Sequence, residues 1–374
     1  MKIAFLGDIF LGGDLLKMHT SKMVSIQDYH MADLRIGNLE HPISNRQEEA
    51  GKATLFTNTT VLRHIAEMRL NAVNLANNHI HDKLSEGIGE TIGHLDEVKV
   101  GHFGAGVDAR QAKEPFWIDG DICVLGYCEY GRPYLKKIQV ASEQTAGVNP
   151  LRYETVTSDL DRLPTGKKAI LFFHWGREHV WLPPYQDIAL AKRLLEDDRV
   201  IMIVGTHCHR VQGYVHHNGK YAYMSIGNFL FPNFFIEPPT HLVYPDEIPT
   251  HYWVTRDYHK VSQVTYKMWR LINRISLVLV HDTSKHTTTL VPTYQNDDVP
   301  NVGELKGVSK TVFMGWISFL SWFYKLPKLI YTPLAFCNAF TQNCMWYGRI
   351  LVFNLRQGGL IGAIQYVNNY ISSR

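Results

Sequence analysis

Residues 1–230 alternate short apolar runs with amphipathic stretches, a pattern typical of an α/β fold. The apolar runs predict strands at 2–8, 33–40, 71–79, 122–129, 169–176, 200–207 and 221–229. Apolar positions at helical spacing predict helices between them, at 59–68, 86–98 and 185–197. A segment rich in proline and tyrosine, 231–260, predicts a loop, and two later runs, 274–282 and 286–294, predict an antiparallel hairpin.

Side chains that can bind metal or phosphate follow most of these strands. They are Asp8, Asn38, Glu40, Asn77, Asn78, His79, His174, His207, His209 and Asn228. Ligands of open α/β sheets bind beyond the carboxyl ends of the strands, so these side chains should converge on one crevice. One such residue alone is explained as well by a helix cap or a loop contact. Six strand ends of the same kind favour a shared site.

The residue types indicate metal-assisted hydrolysis. Two carboxylates, an amide oxygen and three histidines suit Mn²⁺, Fe²⁺ or Zn²⁺ better than Ca²⁺. We predict one or two divalent metal ions, with manganese preferred over iron or zinc. Two cations about 3.5–4 Å apart can clamp the attacking and leaving oxygens of a phosphoryl transfer. The sequence contains neither a phosphate-binding G-x-x-x-x-G-K-[ST] loop nor a G-x-S-x-G nucleophile motif.

Composition narrows the class of protein. The 374 residues are 45% hydrophobic and 20% charged, as expected for a chain with a large core. A net charge of +3 argues against a nucleic-acid partner. The five cysteines form no C-x-x-C pair, which suits a reducing compartment. Asp8 interrupts the first apolar run and no cleavage site follows, so we expect a strand there and a cytoplasmic protein.

The basic charge is concentrated in the C-terminal part. Residues 301–374 contain seven Lys and Arg against one acid, Glu304. We therefore predict a domain over 1–300 and a basic, aromatic-rich helical extension over 301–374. Its uncharged runs, 311–324 and 329–348, are too short or too polar for a bilayer span, which needs about 20 apolar residues. The helices of 311–347 could instead lie on an anionic membrane, pack on the core or form a homodimer seam.

Six blocks of sequence in one order resemble a known family. They are "GDIFLGGD", "ADLRIGNLE", "LANNHIHD", "FFHWGREH", "GTHCHR" and "SIGNFLF". Together, over about residues 1–295, they resemble the CapA (PgsA-like) capsule and poly-γ-glutamate synthesis family, a branch of the calcineurin-like metallophosphoesterases. The resemblance implies a four-layer α/β/β/α sandwich with the site at the strand ends.

The resemblance also implies roles for individual residues. Asp8 and His209 would bind a first metal, Glu40 would bridge, and the second metal would take Asn78, His174 and His207. His79 would donate a proton to the leaving group, and Asn228 would orient a metal-bound group. Apart from the resemblance, Asp82 could orient a ligand histidine or be a solvated acid at a helix start. We expect substrate contacts from Asn77, Arg177 and Glu178. The chain departs from the phosphoesterase pattern at Phe10, where a histidine is expected, and at Glu40, where an aspartate is expected.

The predicted function is a phosphoesterase of capsule, exopolymer or surface-glycan synthesis, in which a metal-bound hydroxide attacks a phosphorylated or polymer-precursor substrate. Two alternatives stay open. The same site could hydrolyse a γ-glutamyl or other amide bond. The chain could also be a non-catalytic accessory protein of a polymer-synthesis complex, peripheral at the inner face of the membrane.

Overall fold

A computed structural model describes residues 1–17, 22–50, 52–132, 135, 138–236 and 265–372. The strands are β1 (Lys2–Ile9), β2 (Val24–Ser25), β3 (Leu34–Leu39), β4 (Ala72–Asn74), β5 (Gly101–Phe103), β6 (Ala105–Gly106), β7 (Phe116–Trp117), β8 (Ile122–Cys128), β9 (Gly147–Val148), β10 (Lys168–His174), β11 (Val200–Thr206), β12 (Tyr214–His217), β13 (Lys220–Tyr223), β14 (Asn228–Leu230), β15 (Phe234–Ile236), β16 (Thr265–Lys267), β17 (Ile275–Asp282), β18 (Thr287–Gln295) and β19 (Val302–Glu304). The helices are α1 (Gln27–His30), α2 (Leu62–Glu67), α3 (Leu84–Glu97), α4 (Ala109–Ala112), α5 (Tyr153–Asp161), α6 (Tyr185–Leu195), α7 (Gly307–Phe323) and α8 (Lys328–Ser372).

Most strands belong to two mixed sheets. The first has the order β2-β19-β18-β17-β1-β3-β4-β5, and β14 pairs with the end of β1. The second has the order β12-β13-β11-β10-β8-β7. Neighbours among β1, β3, β4 and β5 run parallel, as do those among β8, β10, β11 and β13. Parallel neighbours bring their carboxyl ends to one edge of each sheet.

Three apolar clusters show how these elements pack. Phe5 of β1 and Phe172 of β10 share the cluster between the two sheets, with ring centroids 6.4 Å apart. The next residues along β1 face the other way, because side chains alternate along a strand, and Leu6 joins the cluster beneath α2 and α3. A third cluster lies between the second sheet and helices α5 and α6. The predicted α/β class is confirmed.

The predicted strands agree with the structure except at two places. The first is 71–79, where only Ala72–Asn74 is a strand. The side chain of Asn74 bonds both the backbone N–H of Ala76, at 3.2 Å, and its carbonyl, at 3.2 Å. This turn takes the chain out of the sheet before Asn78. The predicted helix 59–68 also begins differently, with a 3₁₀ turn over Thr59–Val61.

The second place is 221–229, which forms two strands in different sheets. β13 lies in the second sheet, and β14 pairs with β1 in the first, with Asn228 beside Asp8. Gly227 links them with φ 76°, a left-handed backbone that favours glycine, and its carbonyl accepts from the Asp8 N–H at 3.0 Å. The loop predicted at 231–260 is wrong at Phe234–Ile236, which is β15. Residues 231–233 form neither strand nor helix, as predicted, and 237–260 lie outside the described residues.

One face of the C-terminal extension packs on the core. Phe313 and Ile317 of α7 belong to the cluster between the sheets. Tyr324 donates to the Trp181 carbonyl at 3.0 Å, and Tyr331 of α8 donates to the Pro183 carbonyl at 2.7 Å. Helix α8 contains a break at Gly359. Across the described parts of the chain, no helix combines the length and apolarity needed to cross a bilayer.

Candidate metal centre

The carboxyl ends of β1, β3, β10 and β11 meet at one buried cluster. It contains two carboxylates and three histidines, each at most 5% exposed: Asp8, Glu40, His174, His207 and His209. Their ligand atoms form two groups that share Glu40, and within each group all atoms lie within 4.8 Å of one another. The structure therefore brings together the side chains that end separate strands.

The first group is built around His174. Its Nε2 lies 2.9 Å from His207 Nδ1, 2.8 Å from Asn78 Oδ1 and 3.7 Å from Glu40 Oε1. On the other side of the ring, Nδ1 lies 3.2 Å from Asn38 Nδ2. Four donor atoms of types that suit zinc, manganese or iron thus converge at one point, which we call the His174 group.

The second group, the Asp8 group, contains Asp8, Glu40 and His209. His209 Nδ1 lies 3.6 Å from Asp8 Oδ2, and His209 Nε2 lies 3.7 Å from Glu40 Oε1. Asn228 Oδ1 lies 2.9 Å from His209 Nδ1 and so holds that ring from its other side. Nε2 of His209 is therefore the nitrogen that faces Glu40. Metal-bound histidines commonly have a hydrogen-bond partner on the other ring nitrogen, as His209 has in Asn228.

The backbone of the His-x-His segment explains how one short loop supplies both groups. His207 and His209 have φ values of 85° and 53°, both in the left-handed region that non-glycine residues seldom adopt. The His207 N–H donates to Asp8 Oδ2 at 3.2 Å. Strained backbone of this kind concentrates at functional sites, where surrounding contacts hold it in place.

Burial sets the charge state of the ligands. It lowers the pKa of His174 and of His209 well below the usual range, so both imidazoles are neutral and can bind a cation. Burial raises the pKa of Asp8 to about 7, although hydrogen bonds from Asn38 and Glu40 oppose this shift. Burying two adjacent carboxyl groups without a cation costs free energy, whereas carboxylates and neutral histidines are good metal ligands. The donor set therefore fits one or two divalent metal ions.

Near the His174 group, His79 belongs to a buried chain of contacts with Asp82 and Lys52. Its Nδ1 lies 2.6 Å from Asp82 Oδ2, and Lys52 Nζ lies 2.6 Å from the other carboxylate oxygen. Lys52 also donates to the Asn78 carbonyl at 2.5 Å. Burial alone would raise the pKa of Asp82, but the charges of Lys52 and His79 outweigh it and lower that pKa. The ionised carboxylate accepts from Nδ1–H and so fixes the orientation of the His79 ring.

Phe10 occupies a wall of aromatic rings next to the Asp8 group. It packs against Phe231 and Phe234, at centroid distances of 5.2 and 5.3 Å, in a cluster that also includes Trp269. The His209 ring contacts the same wall, with its centroid 5.0 Å from that of Trp269. The Asp8 group therefore has an apolar neighbour where the phosphoesterase pattern would place another nitrogen ligand.

The three predicted substrate contacts occupy different surroundings. Asn77 is engaged with backbone, donating to the Leu39 carbonyl at 2.8 Å and accepting from the His79 N–H at 3.1 Å. Arg177 donates to Asn343 of α8 at 2.8 Å, and Glu178 lies 3.9 Å from His179. Of these, Arg177 and Glu178 lie on the segment after β10 and remain candidates for substrate contact.

Sequence reasoning missed three residues that support the centre. Asn38 stood among the strand ends but received no role, yet its Nδ2 donates to Asp8 Oδ1 at 2.8 Å. Asn74 in turn donates to Asn38 Oδ1 at 2.9 Å. Lys52 lies between predicted elements, where a lysine is ordinarily a surface residue. Only the asparagines, which end neighbouring parallel strands, carried a signal in the sequence.

Comparison with known proteins gives a family model and curated relatives that match part of the chain. The model of the family described as "Bacterial capsule synthesis protein PGA_cap" matches residues 2–233. "PGA biosynthesis protein CapA" of Bacillus subtilis (strain 168) is 27% identical over 249 residues, 62% of this chain and 63% of that protein. "Capsule biosynthesis protein CapA" of Bacillus anthracis is 25% identical over 233 residues, 59% of this chain and 54% of that protein.

The matched region thus spans about three fifths of the length of these relatives. The match of the family model, over residues 2–233, ends earlier than the resemblance predicted over about 1–295. It nevertheless contains every ligand of both groups, from Asp8 to His209, and also Asn228. The chain belongs to the bacterial capsule synthesis protein family PGA_cap, which is related to the metallophosphoesterases.

Proposed function

We propose that this protein is a metal-dependent hydrolase, a phosphoesterase, that acts in capsule, exopolymer or surface-glycan synthesis. The observation that carries the proposal is the pair of ligand groups joined by Glu40. A shared carboxylate is the feature that two-cation phosphoesterase sites require. We infer further that the two sheets and their helices form a four-layer sandwich over residues 1–300 together with β19, with the rest of 301–374 attached as a helical extension.

Asp8, Glu40 and His209 would hold one cation, and Glu40, Asn78, His174 and His207 the other. When bound, such cations supply Lewis acidity that polarises a phosphoryl group and acidifies water. Manganese is our first choice and iron or zinc the alternatives, because the donors are mixed oxygen and nitrogen.

The chain's own residues supply positioning and proton transfer. The Asp82 carboxylate accepts from Nδ1–H of His79 and stabilises the doubly protonated ring, whose Nε2–H would pass its proton to the leaving oxygen and leave a neutral imidazole. The buried Nδ2 of Asn228 donates to no other side chain or backbone atom among the described residues, so it could donate to a substrate oxygen. Near-complete burial of the ligands keeps bulk water from screening these interactions.

The test is turnover of bis-p-nitrophenyl phosphate by the full chain, with and without added Mn²⁺, Fe²⁺ or Zn²⁺. We expect metal-dependent hydrolysis that a chelator abolishes and that His174→Ala lacks. Hydrolysis of a γ-glutamyl amide but not of the phosphodiester would replace the phosphoesterase with an amide hydrolase. Bound metal with turnover of neither compound would favour the accessory protein.

The five cysteines, all free, are consistent with the cytoplasm as the site of action.

A further inference from the structure

The outward face of α7 is apolar. Phe313 and Ile317 pack into the core, yet on the opposite side of the helix Phe319 and Trp322 are 48% and 55% exposed. A helix that lies between a core and water carries polar residues on its outer side. Helix α7 instead presents aromatic rings on both sides.

The first part of α8, residues 328–347, likewise exposes apolar side chains on its outer side. Its amide side chains face the protein, where Asn338 Oδ1 accepts from the Trp181 N–H at 2.9 Å. Its outer side carries Leu329, Phe336 and Phe340, which are 88%, 68% and 59% exposed. We call the exposed apolar residues of α7 and of 328–347 the outer face. An apolar area that continues over two successive helices marks an interaction surface.

The charged side chains that follow Glu304 in the sequence, which include those of α7 and α8, have one sign. Exposed lysines stand at the start of α7 and at the turn between the helices: Lys306, Lys310, Lys325 and Lys328. The sequence contains no aspartate or glutamate after Glu304. Beside Trp322, a groove of about 350 Å³ is lined by Lys192 and Lys325. The complementary partner is therefore negatively charged at the level of the lysines and apolar beneath them.

These features distinguish between two occupants. A second copy of the chain would bring the same lysines to the seam and no acid from this segment to pair with them. An anionic bilayer provides headgroups for the lysines and acyl chains for the rings. We propose that α7 and residues 328–347 lie in the plane of an anionic membrane surface, with the outer face in the lipid.

This placement would hold the metal centre near the bilayer. Arg177 and Arg210 donate to Asn343 and Gln342 of α8, at 2.8 and 3.4 Å. These arginines closely follow the ligands His174 and His209 in the chain. Docking itself requires no catalysis, so the inference stands or falls separately from the proposed hydrolysis.

The experiment is flotation of the full chain with vesicles of phosphatidylcholine alone or with added phosphatidylglycerol. We expect binding to the anionic vesicles that weakens with salt, because the lysine contribution is screened. Phe319→Ser/Trp322→Ser and Lys325→Glu/Lys328→Glu should each weaken the partition coefficient by at least about tenfold. The matched controls are Trp117→Ser, an exposed tryptophan on the far edge strand of the second sheet, and Lys2→Glu/Lys285→Glu.

Circular dichroism spectra that match the wild type would show that each variant folds. Two results would overturn the proposal. One is wild-type protein that floats with neither vesicle. The other is a dimer in sedimentation that Phe319→Ser/Trp322→Ser dissociates, which would assign the outer face to a second copy. Equal loss of binding in the control variants would also count against it, because the effect would then not be specific to the outer face.

Discussion

Nε2 of His174 lies 2.9 Å from Nδ1 of His207 in the interior of the protein. Two nitrogens bound to one tetrahedral cation would lie about 3.3 Å apart, given metal–nitrogen bonds of about 2.05 Å. The pair is therefore close to the spacing of two ligands on one ion. Burial and the neighbouring histidines lower the pKa of His174 well below its usual range, so this ring does not compete for the site as a cation.

Metal content should depend on this pair. We expect His207→Ala to lose most of the metal that the wild type holds, because the His174 group then keeps a single histidine. Mass spectrometry of purified protein measures the metal per chain. His216→Ala, which removes an exposed histidine of β12, is the control and should match the wild type. If His207→Ala kept the wild-type metal content, the His174 group would not be the metal site.

Proton donation by His79 should be separable from metal binding. We expect His79→Asn to reduce kcat by about 10²–10⁴-fold, the usual contribution of a general acid, for a phosphodiester with a poor, alcohol-type leaving group. Metal content should stay at the wild-type level, because His79 belongs to neither ligand group. A leaving group of low pKa needs little protonation, so the defect should shrink for substrates with better leaving groups. An equal defect with all leaving groups would contradict the assigned role.

The Lys52–Asp82 ion pair should stabilise the fold in a pH-dependent way. Lys52→Met leaves a buried carboxylate without its cation, and we expect a loss of about 3–5 kcal/mol in the free energy of unfolding. The folded pKa of Asp82 lies below the ordinary value, so its contribution is present above about pH 4 and is lost as pH falls through the folded value.

The stability difference between wild type and Lys52→Met should therefore be largest near neutral pH and should narrow below about pH 4. Urea denaturation at a series of pH values measures it. Lys285→Met, at an exposed lysine, should match the wild type throughout. A difference that is independent of pH would mean that Lys52 stabilises by packing alone.

The Asp8 group should bind metal more weakly than the His174 group, since it has fewer donors and an aromatic neighbour at Phe10. We expect Phe10→His to add a nitrogen donor and to tighten the weaker Mn²⁺ equivalent by about tenfold, as a single added ligand can. Calorimetric titration of metal-free protein distinguishes the two equivalents. Phe234→His, elsewhere in the same aromatic wall, is the control; a similar gain there would contradict a specific effect of position 10.

The sequence alone was sufficient to predict most of the strands and the polar side chains at their ends. Each of Asp8, Glu40, His174 and His207 stands at or just after the end of a buried strand, and strand periodicity can be read locally. Parallel strands carry their carboxyl ends to one edge of a sheet, so convergence within each sheet follows from the pattern without knowledge of distances. The meeting of the two edges, β1 and β3 with β10 and β11, does not follow from it. Both rules are local, so they can be applied without the tertiary structure; that these residues bind metal stays a prediction.

Tertiary structure alone decided what joins residues far apart in the chain. Lys52 reaches Asp82 and Asn78 from a loop with no periodic pattern, and no local rule predicts that a loop lysine is buried. The split of 221–229 between two sheets depends on where β1 accepts β14, a pairing across more than 200 residues. In α7, apolar residues on both sides of the helix hide which side faces the core. Tertiary packing determines which side of α7 is buried, because only the contacts with the two sheets distinguish Phe313 from Phe319.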